Sequence, residues 1–172
     1  MFYEVEKNHF VVDLTKGAKA MSALRKTALI LFCFFISLSA HASPAEDADA
    51  ALSRWSSAYT SNDLDAVVSN YWPEAILLGT VSPVMSEGLA AIRTYFTPLQ
   101  KSGNRNALGE RRTIVLNDSA VIVTGFYEFT RIKDGVAVPG PSRFTMLMVK
   151  RGSEWKIQHH HSSPHVQPAK PT

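Results

Sequence analysis

The sequence predicts an α+β fold: three helices, then an antiparallel sheet. Between residues 44 and 99 apolar side chains recur at three- and four-residue spacing, whereas from residue 111 on they follow the shorter period of strands. Short polar turns at Asn117-Asp118, Lys133-Asp134-Gly135 and Arg151-Gly152 separate those later segments. Helices first and strands after is an α+β order, and consecutive short turns make a meander the simplest topology.

Ser43-Pro44-Ala45-Glu46 is a capping-box pattern with proline at the first helical position. Ala48, Ala51, Leu52, Trp55, Ala58 and Tyr59 follow as one stripe, which predicts an amphipathic helix ending near Thr60. Ser61 or Asn62 caps a second, short helix with Leu64, Val67, Val68 and Tyr71 on its buried face, stopped by Pro73. Asp63 and Asp65 have the look of a carboxylate pair, but first-turn acids at a helix start are the plainer reading. Ala75 to Leu78 leads into a strand, and Ser86-Glu87 opens a third helix carrying Leu89, Ile92, Tyr95, Phe96 and Leu99. Strands are expected over 111–116, 120–131, 142–150 and 154–163. Pro139-Gly140-Pro141 is expected to leave the ladder and form a rim.

Met21 to Lys26 is a short basic region, Thr27 to Ala40 an apolar run of 14 residues, and Ala40-His41-Ala42 a small-x-small cleavage site. Together they predict a secretory signal peptide cut after Ala42, and a periplasmic or secreted protein. The run is shorter than the ~20 residues a membrane span needs, so no stable membrane association is expected after cleavage. Residues 1–20 carry Glu4, Glu6 and Asp13 and resemble no n-region, so Met21 is the expected true start. The organisation is thus a leader over 1–42, one domain over 43–168 and a proline-bearing tail over 169–172. The single cysteine, Cys33, lies in the apolar run, so the domain has no disulfide or thiol chemistry.

Of 18 Lys and Arg, 13 follow residue 42, against 12 of the 15 Asp and Glu. A domain so nearly neutral gives no electrostatic footprint for nucleic acid. Arg111-Arg112 reads as a solvated strand edge rather than a phosphate stripe.

The chemistry concentrates in Glu154 to Ser163. Strict alternation puts Trp155, Ile157, His159 and His161 on one face, so the strand starts as core and ends as imidazole, a plausible pocket wall. His159 and His161 have the spacing of strand ligands to a metal, with Glu128 or His165 as the available third group. There is no HExxH and no cysteine cluster, so no metal and no cofactor are expected. Arg143 opens the neighbouring strand, whose register brings it near the end of the histidine strand, as an anion clamp or as a rim arginine in a surface ion pair. Tyr127 and Glu128 are the parts of a base-plus-oxyanion-donor site, but strand neighbours face opposite sides, so core packing for Tyr127 is the plainer reading. Trp72 falls off the helical spacing and is the aromatic nominee for the pocket.

A charged turn followed by Trp-x-Ile-x-His-x-His and a serine resembles the last strand of the nuclear transport factor 2-like superfamily. The likeness is closest to the association domain of calcium/calmodulin-dependent protein kinase II and the SnoaL-like proteins, and covers about Ala45 to Pro168. It implies a cone-shaped, curved antiparallel sheet backed by the three helices. Only the histidines, the tryptophan and Ser163 match. Where that resemblance would place pocket arginines stand Ser162 and Met146, so the acid-binding pocket of the association domains is not carried over.

Three functions remain open at this level, because such a fold hosts all of them. The first is an exported small-molecule-binding or accessory protein, a homodimer through the outer face of the sheet, with Arg143, Trp72, Tyr127 and Ser163 as ligand-binding residues. The second is an isomerase, dehydratase or hydrolase with His159 or His161 as general base. The third is an oligomerisation scaffold without ligand; no kinase motif is present.

Overall fold

The computed structural model describes residues 42–165; the expected leader and the tail beyond His165 lie outside the described residues. Helix α1 spans Pro44–Ser61 and opens on a complete capping box: the Ser43 hydroxyl accepts from the Glu46 backbone, and the Glu46 carboxylate accepts from Ser43 N at 2.7 Å. It ends at Asn62, which adopts a left-handed conformation and so breaks the helical ladder. Asp63 caps α2 (Leu64–Ser69) by accepting from Ala66 N, and Asp65 pairs with Arg93 at 2.6 Å, so both acids do helix-start work.

Tyr71, expected on α2, instead begins β1 (Tyr71–Leu78), which runs through Pro73. Helix α2 therefore stops earlier than Pro73 alone requires. Ser86 and Glu87, expected to open the third helix, form the short strand β2 (Met85–Glu87); α3 then spans Gly88–Phe96, with a 3-10 turn over Thr97–Leu99 where Pro98 interrupts it.

The remaining strands are β3 (Arg105–Asn117), β4 (Ala120–Lys133), β5 (Val136–Arg151) and β6 (Glu154–Pro164). They form the expected antiparallel meander inside one six-stranded sheet of order β2-β1-β6-β5-β4-β3. Strand β1 lies parallel to β6, a pairing that turn signals cannot predict because the chain between them crosses β2, α3 and the whole meander. Pro139-Gly140-Pro141 does join the ladder, opposite Thr130 to Glu128. The prolines are tolerated because β6 pairs with β5 only from Ser142 on, so that end of β5 has an open edge.

One face of the sheet packs on α1 to α3. Val121, Val123 and Tyr127 of β4, Phe144, Met146 and Met148 of β5, and Trp155 and Ile157 of β6 meet Leu52, Trp55, Val67, Ile92 and Phe96 in one core. Burial of this apolar surface is the main stabilising contribution in a domain without cysteine.

Strict alternation along β6 fails at one residue. Met148 pairs with Ile157, but Leu147 pairs with His159, so Gln158 is an extra residue, a bulge. Beyond it the faces exchange. His160 and Ser162 turn to the helix side, at 2% and 5% exposure, while His159, His161 and Ser163 turn outward. The expectation that His159 and His161 continue the face of Trp155 and Ile157 is thereby corrected. Strand β1 is irregular at the same level, between Tyr71 and Ile76, where Pro73 offers no N–H to the ladder.

Candidate functional site

The inward turn of His160 creates the polar end of a cavity of about 230 Å3 between sheet and helices. Its walls are Trp55 and Tyr59 of α1, Tyr95 and Phe96 of α3, Leu77 of β1, and Tyr127 and Phe129 of β4. His160, Ser162 and Thr80 close one side, and Arg131 and Asn104 also line the cavity. The ring of Tyr95 lies so close over Gly79 that any side chain there would overlap it.

The polar groups form one continuous chain. Tyr71 Oη lies 2.9 Å from His160 Nδ1, and His160 Nε2 lies 3.2 Å from Tyr127 Oη. Tyr127 donates to Ser162 Oγ at 2.5 Å, and Ser162 Oγ is hydrogen-bonded in turn to Thr80 Oγ1. The direction of this chain follows from counting hydrogens. Tyr127 gives its proton to Ser162, so its oxygen accepts from His160 Nε2–H. Nδ1 is then the acceptor for Tyr71, whose buried hydroxyl has no other hydrogen-bond acceptor. The Trp55 N–H lies nearby, buried and without a hydrogen-bond partner among the described residues. With Ser162 passing its hydrogen to Thr80, the Thr80 hydroxyl lines the cavity and points its own hydrogen toward the Tyr95 hydroxyl that lines it too.

Burial, and then the charges of His159 and His161, push the His160 imidazole down to about 3, so it is neutral at ordinary pH. Burial raises Tyr71 and Tyr127 well above the ordinary phenol range and Tyr59 to about 12. The cavity thus holds neutral hydroxyls and a neutral imidazole. Among the described residues no aspartate or glutamate lines it, and Arg131 is its one charged group. The arrangement can donate a hydrogen bond to a neutral or anionic acceptor; it holds no group poised to take a proton.

The residues singled out from sequence divide between two places. Tyr127 lines the interior cavity. Arg143, His161 and Ser163 come together as their register implied, but on the outer face of the sheet, where they line a separate hollow of about 420 Å3. Arg143 Nε donates to Ser163 Oγ at 3.0 Å. His159 is half-buried on that face beside Leu147, its pKa lowered by burial and by His161. Trp72 lines neither space: its N–H donates to Val149 O at 2.9 Å, and Arg151 and Lys156 lie over its ring at 4.6 and 5.1 Å, the work of a core anchor. Glu128 is exposed, and among the described residues no group of His, Asp and Glu is arranged to hold a metal. Sequence reasoning passed over His160, Ser162, Thr80, Tyr71 and Arg131. The sequence marks the irregularity that β6 mirrors only through Pro73, which reads there as the stop of a helix.

The fold recurs among solved structures. A structure described as a putative calcium/calmodulin-dependent protein kinase II association domain, from Xanthomonas campestris, is 27% identical, with 73% of this chain and 93% of that one covered and a TM-score of 0.66. A putative dehydratase from the NTF2-like family of Streptomyces avermitilis is 14% identical, with 72% and 97% covered and a TM-score of 0.65. A ketosteroid isomerase-like protein from Erwinia carotovora atroseptica is 17% identical, with 74% and 100% covered and a TM-score of 0.61. These last two show the fold alone. No curated protein matches the chain. The family model described as a SnoaL-like domain matches residues 48–167, nearly the whole of the folded domain described above, and the chain belongs to that family.

Proposed function

We propose that the interior cavity binds a small, largely apolar molecule through one hydrogen-bond acceptor, such as a carbonyl oxygen, seated against the Thr80 hydroxyl. The observation that carries this reading is the one-way chain from Tyr71 through His160, Tyr127 and Ser162 to Thr80. Each donor before Thr80 is committed within the chain, so its last hydrogen lies at the cavity wall, shared between the Tyr95 oxygen and a ligand acceptor. The aromatic walls supply apolar contact, and a volume of about 230 Å3 suits a ligand below drug size.

Binding is favoured over catalysis because, among the described residues, the lining contains no carboxylate and one imidazole, which is neutral and engaged at both nitrogens. A general base works best with a pKa near the working pH, which His160 lacks. His159 and His161, the bases of the isomerase or dehydratase reading, lie across the sheet from the cavity.

The test is thermal shift with pairs of small ketones and hydrocarbons of equal size. A ketone at 100 times its Kd should stabilise the protein by about 2.7 kcal/mol, and Thr80→Val should erase the preference for the ketone while leaving the fold intact. No preference in the unaltered protein would end the reading.

Export with cleavage after Ala42 belongs to the same proposal, resting on the basic region, apolar run and small-x-small site; cell fractionation with N-terminal sequencing of the mature chain decides it. Self-association as a homodimer is supported by the likeness to a structure described as an association domain. Light scattering that returns a monomer mass would remove it.

A further inference from the structure

The outer face of the sheet carries a second arrangement that the interior reading does not use. Register sets Arg112, Thr124, Thr145 and His161 in one row across four strands, and Phe126, Arg143 and Ser163 in the next row. Directly opposed side chains in such rows stand about 4.5–5.5 Å apart, close enough to act on one small ligand. Gly125 forms part of the hollow's floor: a methyl group there would run into Glu110 O and the Arg111 backbone at about 2.5 Å.

The charges around the hollow are not balanced. Arg111 is committed to Asp49, at 2.5 and 2.7 Å, and Arg112 to Glu110 at 2.7 Å. Glu110 is the only acid in the lining among the described residues, and it is already used by Arg112. Arg143 has no carboxylate within 4.0 Å among the described residues. Glu128, next along β4 on the same face, makes no ion pair with it. The contact from Nε to Ser163 Oγ fixes the plane of the guanidinium and leaves its two terminal nitrogens, a fork suited to two oxygens of one anion. His161 sits one row away, opposite Thr145; the Thr124 hydroxyl donates to Phe144 O, so the Thr145 hydroxyl donates to Thr124. Phe126 walls one side.

We propose that this hollow is a binding site for a small oxyanion, carboxylate or phosphate, clamped by Arg143 and flanked by His161. Ser163 is a positioning residue that orients the guanidinium without touching the anion. The sheet itself separates the site from the interior cavity; it lies on the face expected to pair in the homodimer, so uptake requires that pairing leave Arg143 reachable.

Calorimetric titration with inorganic phosphate, and separately with acetate, at constant ionic strength tests this on the whole protein in its own association state. Saturable uptake of either anion is expected, and which one saturates assigns the chemistry. Arg143→Gln should weaken uptake roughly tenfold or more, and Ser163→Ala by a smaller factor, with circular dichroism unchanged. Thr80→Val, in the interior cavity, should leave uptake unchanged. Should Arg143→Gln fail to fold, Arg143→Lys, which keeps the charge and loses the fork, should still weaken uptake. Uptake that never saturates, or that is equal in the unaltered protein and in whichever Arg143 variant folds, overturns the proposal, as does a hollow closed to both anions.

Discussion

Replacing His160 by glutamine removes the only titratable member of the interior chain that lies near physiological pH in the unfolded state. The unfolded imidazole takes up a proton near 6.5, and the folded one resists until about 3, because burial and two neighbouring histidines oppose the charge. Between those values the unfolded chain binds the extra proton, so acid favours unfolding. The contribution of His160 to stability is complete above about 6.5 and is lost as the pH falls toward about 3. At about pH 5 the loss is roughly 1.5 pK units, or about 2 kcal/mol at 1.36 kcal/mol per unit. Urea unfolding from neutral pH down to about pH 5 should therefore show a steeper fall in stability than in His160→Gln, which keeps only the contribution of His159, whatever its absolute stability. The slope, not the height, is the test, since glutamine also loses one of the two tyrosine contacts. Ring-carbon NMR of the unaltered protein gives an independent check: one histidine should stay neutral to below about pH 4. Equal slopes in the two proteins, or no histidine that stays neutral to below about pH 4, would refute the buried neutral imidazole and with it the direction of the hydrogen-bond chain.

Two glycines separate a soft clash from a hard one. Gly125→Ala sets a methyl group against the backbone of Glu110 and Arg111, which cannot swing aside, and should cost about 1–3 kcal/mol or more in urea unfolding. Gly79→Ala meets only the outer ring atoms of Tyr95, so its stability cost should be smaller, while ketone binding falls as the ring moves. Asp49→Asn breaks a two-pronged pair with a part-exposed arginine and should cost less than about 1 kcal/mol. Arg111 holds the Asp49 carboxyl below its ordinary value of 3.8, so that contribution is present above 3.8 and fades as the pH falls below it; a double-mutant cycle with Arg111→Gln across that range checks the sign.

Most of the architecture was legible in the residue pattern. The capping box at Ser43, the stripe from Ala48 to Tyr59, the two-residue period of the later segments and the turn at Asp134-Gly135, where both residues take positive φ, are local signals. Local signals suffice where one element's own periodicity decides its structure. The meeting of Arg143 with the end of the histidine strand was also legible, because a short turn at Gly152 fixes an antiparallel register. The wrong faces for His159 and His161, and the neglect of His160, share one cause. An alternating pattern carries no mark of a single inserted residue, and Gln158 is neither glycine nor proline.

Sequence alone therefore determined the order of elements, the helix boundaries to within a few residues, and which side chains could supply chemistry. Tertiary structure alone decided which of three consecutive histidines enters the interior. Strand β6 is held between β5 on one side and β1 on the other, and the irregularity beside Pro73 and the bulge at Gln158 fall at the same level. A strand of period two turns over completely when one residue is added, so a pairing made with partners about 80 residues and about 10 residues away sets the face of every side chain beyond it.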